Sequence, residues 1–361
     1  MYRLRILQVS LAVVTALFIL PGCKKFFPGK LPPSVTTCGY PFKLNSSGTI
    51  ALSTPPYFSA STQDIIAFVG ADDVNVNILN VSNNTWTTGS LSLSRVSVAT
   101  GGVDQKLFFA GGVNDGEIRN VYFWPGVDIY NETSSSWSTA SLSEGRNSLA
   151  AGSAGHVIAF GGGYHDPYSN LDDLSDRVDF YDNSLNTWTT GSLSQRRTLL
   201  AGTGTGNKIL FGGGMGPGGV SSTVDIYDIV SKTWNVANLS GARENLGAAA
   251  SCGKVLFAGG YNSSGPSATV DIYDVATNSW SVSKLSHPRE YCYGVAAGNK
   301  IIFGTSLYDK TASDYDLDVY DIIKGKWSVI NLTGARITGS AALNKFVFGG
   351  GDLQADVFTL Q

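Results

Sequence analysis

Charge is scarce in this sequence and evenly split. Of 361 residues 15% are charged, 28 acidic against 25 basic, and the net charge is −3. That balance supplies no basic face on which a nucleic acid could lie, so this class of partner is excluded. Histidine is rarer still, at His156, His165 and His287. No Gly-x-Ser-x-Gly follows a strand pattern, so the nucleophile elbow of a hydrolase is missing. The glycine-rich run 202–208 meets no helix that could cradle a phosphate and reads as strand and turn. Long apolar runs are missing apart from Ile6 to Leu20, itself broken by Gln8, Ser10 and Thr15. Fifteen helical residues reach ~22 Å, short of a ~30 Å hydrocarbon core, so the run reads as an export signal. What the chain does have is glycine, 43 residues, together with 43% hydrophobic residues. That combination points to an all-β protein with many turns rather than to disorder.

The N-terminus reads as three pieces in order. Arg3 and Arg5 precede the apolar run, which ends Leu20-Pro21-Gly22-Cys23. This resembles a bacterial lipobox, with Pro21 departing from its usual small or β-branched residue. The resemblance implies that residues 1–23 are a signal peptide and that Cys23 is lipidated. Lys24 follows where many lipoproteins held at the inner membrane carry aspartate, which favours the outer membrane or cell surface. Residues 24–43, with Pro28, Pro32 and Pro33, read as an extended tether. The remainder, 44–361, is expected to fold as one domain and as a monomer, held at a membrane through the lipid alone.

That domain is built from one repeated unit. Tryptophans stand at 86, 137, 188, 234, 280 and 327. Seven residues before the last five stand Tyr130, Tyr181, Tyr227, Tyr273 and Tyr320. Nine residues after all six stand Arg95, Arg146, Arg197, Arg243, Arg289 and Arg336. Between units run short apolar stretches that end in glycine pairs, such as Val255 to Ala258 before Gly259-Gly260. A period of about 45–50 residues with four short strands per unit means propeller blades. The unit resembles the kelch repeat, marked by the double glycine, the Tyr and Trp at this separation and the arginine beyond.

Each unit is expected to supply strands a to d. Strand b, apolar throughout, would be buried on both faces, and the small-residue strand a would line the axis. Each Trp would open strand d and cover the neighbouring blade. Seven glycine stops and seven c strands, against six Trp strands, give seven blades. Residues Thr49 to Ser53 then fall in d-strand register and would complete the seventh blade, removing its exposed edge. In this register Cys252 and Cys292 lie at opposite ends of neighbouring strands, about 20 Å apart, too far to bridge. With Cys23 and Cys38 before them, the chain shows no obvious disulfide pair.

Function is written less clearly. Antiparallel blades place the b–c and d–a loops on one face, and only the b–c loops vary in length. A protein or glycan partner is therefore expected at the b–c/d–a face. Candidate contacts there are Trp124, Tyr164, His165, Tyr168, Arg197, Arg243, Glu244, His287, Arg289 and Glu290. An arginine in every blade also reads as structural, pairing with carbonyls or with an adjacent acid such as Glu244 or Glu290. Trp124, outside the repeat, either stacks on a ligand or folds back on its own blade. Asp318 shares its repeat position with Asp128, Asp179, Asp225 and Asp271, and with Asp314 and Asp316 it forms no calcium loop. No metal and no cofactor is expected. A copper oxidase of the galactose oxidase type is excluded, since His156 maps to the opposite face and no cysteine maps to a b–c loop. The enzymatic alternative is a carbohydrate-active site resembling a kelch-type sialic acid mutarotase, drawing on Arg243, Glu244, His287 and Glu290.

Overall fold

A computed structural model describes residues 43–361, apart from 53–54, 71–72, 115–121, 166–172, 306–314, 333, 335 and 351. These residues form seven antiparallel blades, each with four long strands in the order a-b-c-d. The first blade takes Pro56–Ser61, Ile65–Gly70, Asn75–Asn80 and Thr85–Ser90 as its four strands. Blade 4 repeats the plan with Ala201–Thr205, Lys208–Gly212, Thr223–Asp228 and Thr233–Asn238.

The b strands are sandwiched between neighbouring blades, which is why they are apolar without alternation. Val255, Leu256, Phe257 and Ala258 have no exposed surface. The core is divided accordingly into seven clusters, one between each pair of adjacent blades. The seven-residue Tyr–Trp spacing is a hairpin register. Tyr227 and Trp234 face each other directly across the c–d turn, their ring centroids 4.9 Å apart. The same pair recurs at Tyr130–Trp137, Tyr181–Trp188, Tyr273–Trp280 and Tyr320–Trp327. The Trp ring then reaches the preceding blade. Trp137 lies so close over Gly89 of blade 1 that a Cβ there would come within 2.6 Å of the indole.

The glycine pairs are required by backbone geometry. Gly259 and Gly260 have φ of 66° and 93°, in the left-handed region that side chains disfavour. In this conformation the Gly260 N–H donates to the carbonyl of Arg289 at 2.8 Å. Gly112, Gly163 and Gly214 make the same bond to Arg146, Arg197 and Arg243. In the triple-glycine runs it is thus Gly162-Gly163 and Gly213-Gly214 that take the turn, one residue beyond the pairs the sequence register suggests.

The ring closes as the register predicts. Leu44–Ala51 is strand d of blade 7 and pairs with Gln354–Leu360, from Leu44 opposite Leu360 to Ala51 opposite Gln354. The strand begins five residues before Thr49 and accommodates a bulge between Ser46 and Gly48. Paired backbone bonds between Lys43 and Gln361, both 2.9 Å, continue the ladder past its end.

The two described cysteines differ in state. Cys292 is free and buried, so it does not bridge to Cys252. Cys252, in the a–b turn of blade 5, is nonetheless disulfide-bonded. The pairing that the register excluded is absent, and Cys252 has another partner than Cys292.

Candidate functional site

The b–c/d–a face rests on a buried layer of arginines. Arg95, Arg146, Arg197, Arg243 and Arg289 are at most 1% exposed, because each side chain turns inward from its d–a linker. The partner in each case is the aspartate of strand c in the following blade: Asp128, Asp179, Asp225, Asp271 and Asp318. The other carboxylate oxygen accepts a backbone N–H from a linker serine, as Asp271 does from Ser240 at 2.8 Å. Burial lowers the pKa of Arg146 and Arg197, and the aspartate facing each opposes that shift. Further bonds go to strand carbonyls, such as Arg243 Nε to Gly259 O at 2.8 Å. The Arg243 backbone carbonyl meanwhile accepts from Gly214 of blade 4. Each of Arg146, Arg197, Arg243 and Arg289 thereby joins one blade through its backbone to the next through its side chain. In blade 6, where Gly304-Thr305 replaces the double glycine, the Thr305 hydroxyl accepts from Arg289 Nη1 at 3.1 Å.

This arrangement decides the arginine candidates. Arg197, Arg243 and Arg289 lie beneath the face and are engaged internally, not presented to a ligand. Nor are Glu244 and Glu290 the acids that pair with Arg243 and Arg289. The pairing acid lies 28 or 29 residues further on, so only the register of strand c could reveal it.

The remaining candidates fall into two sectors. On blades 2 and 3, Tyr164 meets Phe123 edge-on with ring centroids 5.8 Å apart. The adjacent His165 Nδ1 lies 2.8 Å from Gly145 O, and its Nε2 lies 3.4 Å from Glu144 Oε1. The same Glu144 oxygen accepts from Ser175 Oγ and lies 3.7 Å from Arg146 Nε, so Glu144 is the centre of a local network. Trp124 folds back on its own blade, its indole lying where a Cβ on Gly126 would stand. Tyr168 lies outside the described residues.

On blades 5 and 6 the acids are differently placed. Glu244 pairs through its backbone with Tyr261, as Asn147 does with Tyr164, so the two sectors are built on equivalent positions. Burial raises the Glu244 pKa first, and the negative charge of Glu290 raises it further. Its Oε2 is shielded from solvent and has no hydrogen-bond partner among the described residues. His287 Nδ1 sits 2.9 Å from Ser286 Oγ, and its Nε2 is likewise shielded and unpartnered. Tyr261 and Tyr291 stand exposed beside the two acids. The residue tally from sequence missed Glu144, Ser175, Tyr261 and Tyr291. Tyr261 was within reach, since it occupies in blade 5 the position that Tyr164 fills in blade 3.

At the axis the a strands enclose a channel of about 420 Å³. Its wall is made largely of small and hydroxyl-bearing residues such as Ser59, Thr100, Gly152, Thr203 and Ser340, with Tyr57, Phe58 and Tyr293 as large exceptions. No His, Glu or Arg lines it among the described residues. Nor do three or more His, Cys, Asp or Glu side chains converge there, or elsewhere among those residues, as metal ligands would.

Comparison with known proteins agrees with the architecture. The Kelch motif model matches residues 242–283, which run from the blade 4–5 linker into the last strand of blade 5. The solved structure of YjhT superposes with a TM-score of 0.62 at 16% identity, covering 78% of this chain and 99% of that one. No curated protein matches. At that identity the likeness shows the fold alone. The chain is a seven-bladed β-propeller that carries the Kelch motif.

Proposed function

We propose that this propeller recognises a protein or glycan partner through its b–c/d–a face, as an exported, lipid-anchored module of a bacterial envelope. The observation that carries the reading is the separation of the polar side chains from the channel. His165 and Glu144 stand on the face two to three blades from Glu244, His287 and Glu290, while the channel wall has none of these residue types. Chemistry on a small molecule needs acid, base and electrophile to converge in one cavity. Recognition needs a broad rigid surface with aromatic anchors, which Phe123, Tyr164, Tyr261 and Tyr291 supply. The mutarotase-like alternative loses its arginine, because Arg243 is engaged below the surface with Asp271.

Two features support the anchored arrangement. The described chain enters at Lys43, beside Gln361 at the c–d end of blade 7, opposite the b–c/d–a face. The disulfide of Cys252 suits an oxidising, extracytoplasmic compartment.

The test is a glycan and protein-partner screen repeated with a Tyr164→Ala/His165→Ala variant and with His156→Ala on the opposite face. Binding that survives the first pair of substitutions and fails with His156→Ala would overturn the choice of face. For the anchor, Cys23→Ala should move the protein from the membrane pellet to the soluble fraction or leave an uncleaved precursor. Mass spectrometry showing a mature chain that starts elsewhere without acyl groups would sink that part.

A further inference from the structure

The chain has four cysteines, Cys23, Cys38, Cys252 and Cys292. Cys252 is disulfide-bonded, and Cys292 is not its partner, being free and buried between blades 5 and 6. Burial pushes the Cys292 thiol up to about 12, which keeps it protonated and out of exchange. The bond of Cys252 therefore runs to Cys23 or Cys38. Cys38 belongs with Cys252 to the compact unit Pro32–Gln361, and Cys23 lies before that unit. Cys252 opens its turn in the left-handed region, at φ 51°, where blades 3, 4 and 6 place Gly155, Gly206 and Gly298. Glycine takes that conformation at least cost, so nothing in the backbone of the turn calls for a cysteine.

The closing strand gives the bond a role. Every other d strand is held covalently at both ends, by a c–d turn and a d–a linker, whereas Leu44–Ala51 joins the ring at its Ala51 end alone. Its Leu44 end is held by the ladder to Gln354–Leu360 and by the Lys43–Gln361 pair. That end lies on the a–b/c–d face, and so does the Cys252 turn. Cys252 Sγ sits 3.2 Å from the Gly298 carbonyl of blade 6, the blade between blades 5 and 7. Five residues, ~17 Å at full extension, run from Cys38 to Lys43. We infer that Cys252 is bonded to Cys38, and that the bond is a covalent clasp on the ring, tying the open end of the closing strand to blade 5. Its formation passes two electrons and two protons from the paired thiols to the disulfide of a thiol oxidant, which leaves as a dithiol. A dithiol reductant reverses the step, and Cys252 is only half-buried, so the clasp answers to redox state. The clasp does not depend on what the b–c/d–a face binds.

The test uses the full chain, treated with oxidised glutathione, blocked with iodoacetamide and digested without reduction. Mass spectrometry should find the Cys38 peptide joined to the Cys252 peptide, and the two should separate on reduction. A Cys23–Cys252 pair, a Cys252 bond between two copies of the chain, or Cys252 alkylated in the unreduced protein would each overturn the inference. Thermal unfolding tests the clasp. Cys38→Ser should lower the melting temperature by roughly 5 °C, and dithiothreitol should lower that of the unaltered chain equally and that of the variant no further. A Cys38→Ser chain that melts with the unaltered one, or that dithiothreitol destabilises further, would overturn the clasp.

Discussion

Each d–a linker carries two neighbouring residues with opposite fates. The arginine is constant in all six linkers that bear it, and in five of them it is at most 1% exposed with an aspartate on its guanidinium. The next residue changes from linker to linker, from the buried Asn147 and Thr198 to the half-buried Val96, Glu244, Glu290 and Ile337. Repetition marks what every blade needs to join the next, and departure from repetition marks what the face presents. A buried charge is tolerable only where an opposite charge and further hydrogen bonds meet it, so it recurs with its whole setting. The position beside it is held through its backbone, as at Val96, Asn147, Thr198 and Glu244, so its side chain is free to differ.

The sharpest way to break the comparison is to remove a repeated device entirely. A chain beginning at Tyr57 lacks Leu44–Ala51, leaving strand c of blade 7 with an open edge. It should aggregate or lose cooperative unfolding, whereas one beginning at Leu44 should stay soluble. Equal solubility and melting temperature for the two would refute closure by this strand. Next in size is Arg197→Ala, which strands the buried Asp225 carboxylate and should cost about 3–5 kcal/mol in denaturant unfolding. A loss below about 1 kcal/mol would mean that the arginine layer is not what joins the blades. Trp234→Ala follows at about 3 kcal/mol, toward the lower end for tryptophan because its ring is only half-buried against blade 3.

The smallest effect belongs to the residue beside the arginine, and its sign is reversed. Burial and Glu290 hold the Glu244 pKa above its ordinary value, so folding disfavours the ionised form. The stability linked to this group is present below the ordinary carboxylate range, near pH ~4, and is lost as pH rises through the raised value. Glu244→Gln should therefore stabilise the protein by a few tenths of a kcal/mol at neutral pH, roughly the scale of a partly solvated pair. The gain should vanish near pH ~4. A destabilised variant at neutral pH would show that Glu244 has a bonded partner in the fold.

Much of this was legible in the chain itself. The Trp, Tyr, Arg and Gly-Gly spacings set blade number, strand order and closure, because local hairpin register and burial on both faces of strand b leave a periodic trace. The sequence also separated the short a–b and c–d turns from the variable b–c loops. Tertiary structure alone decided which acid meets each arginine, since Asp271 and Asp318 reach Arg243 and Arg289 across 28 and 29 residues while Glu244 and Glu290 stand adjacent and do not. It also decided that Trp124 lies on Gly126, that Glu144 is held by Ser175 and His165, and that Cys252 is bridged. Periodicity records what every blade shares. Contacts made once, between loops of different blades, leave no period in the sequence, and only the closed ring brings them together.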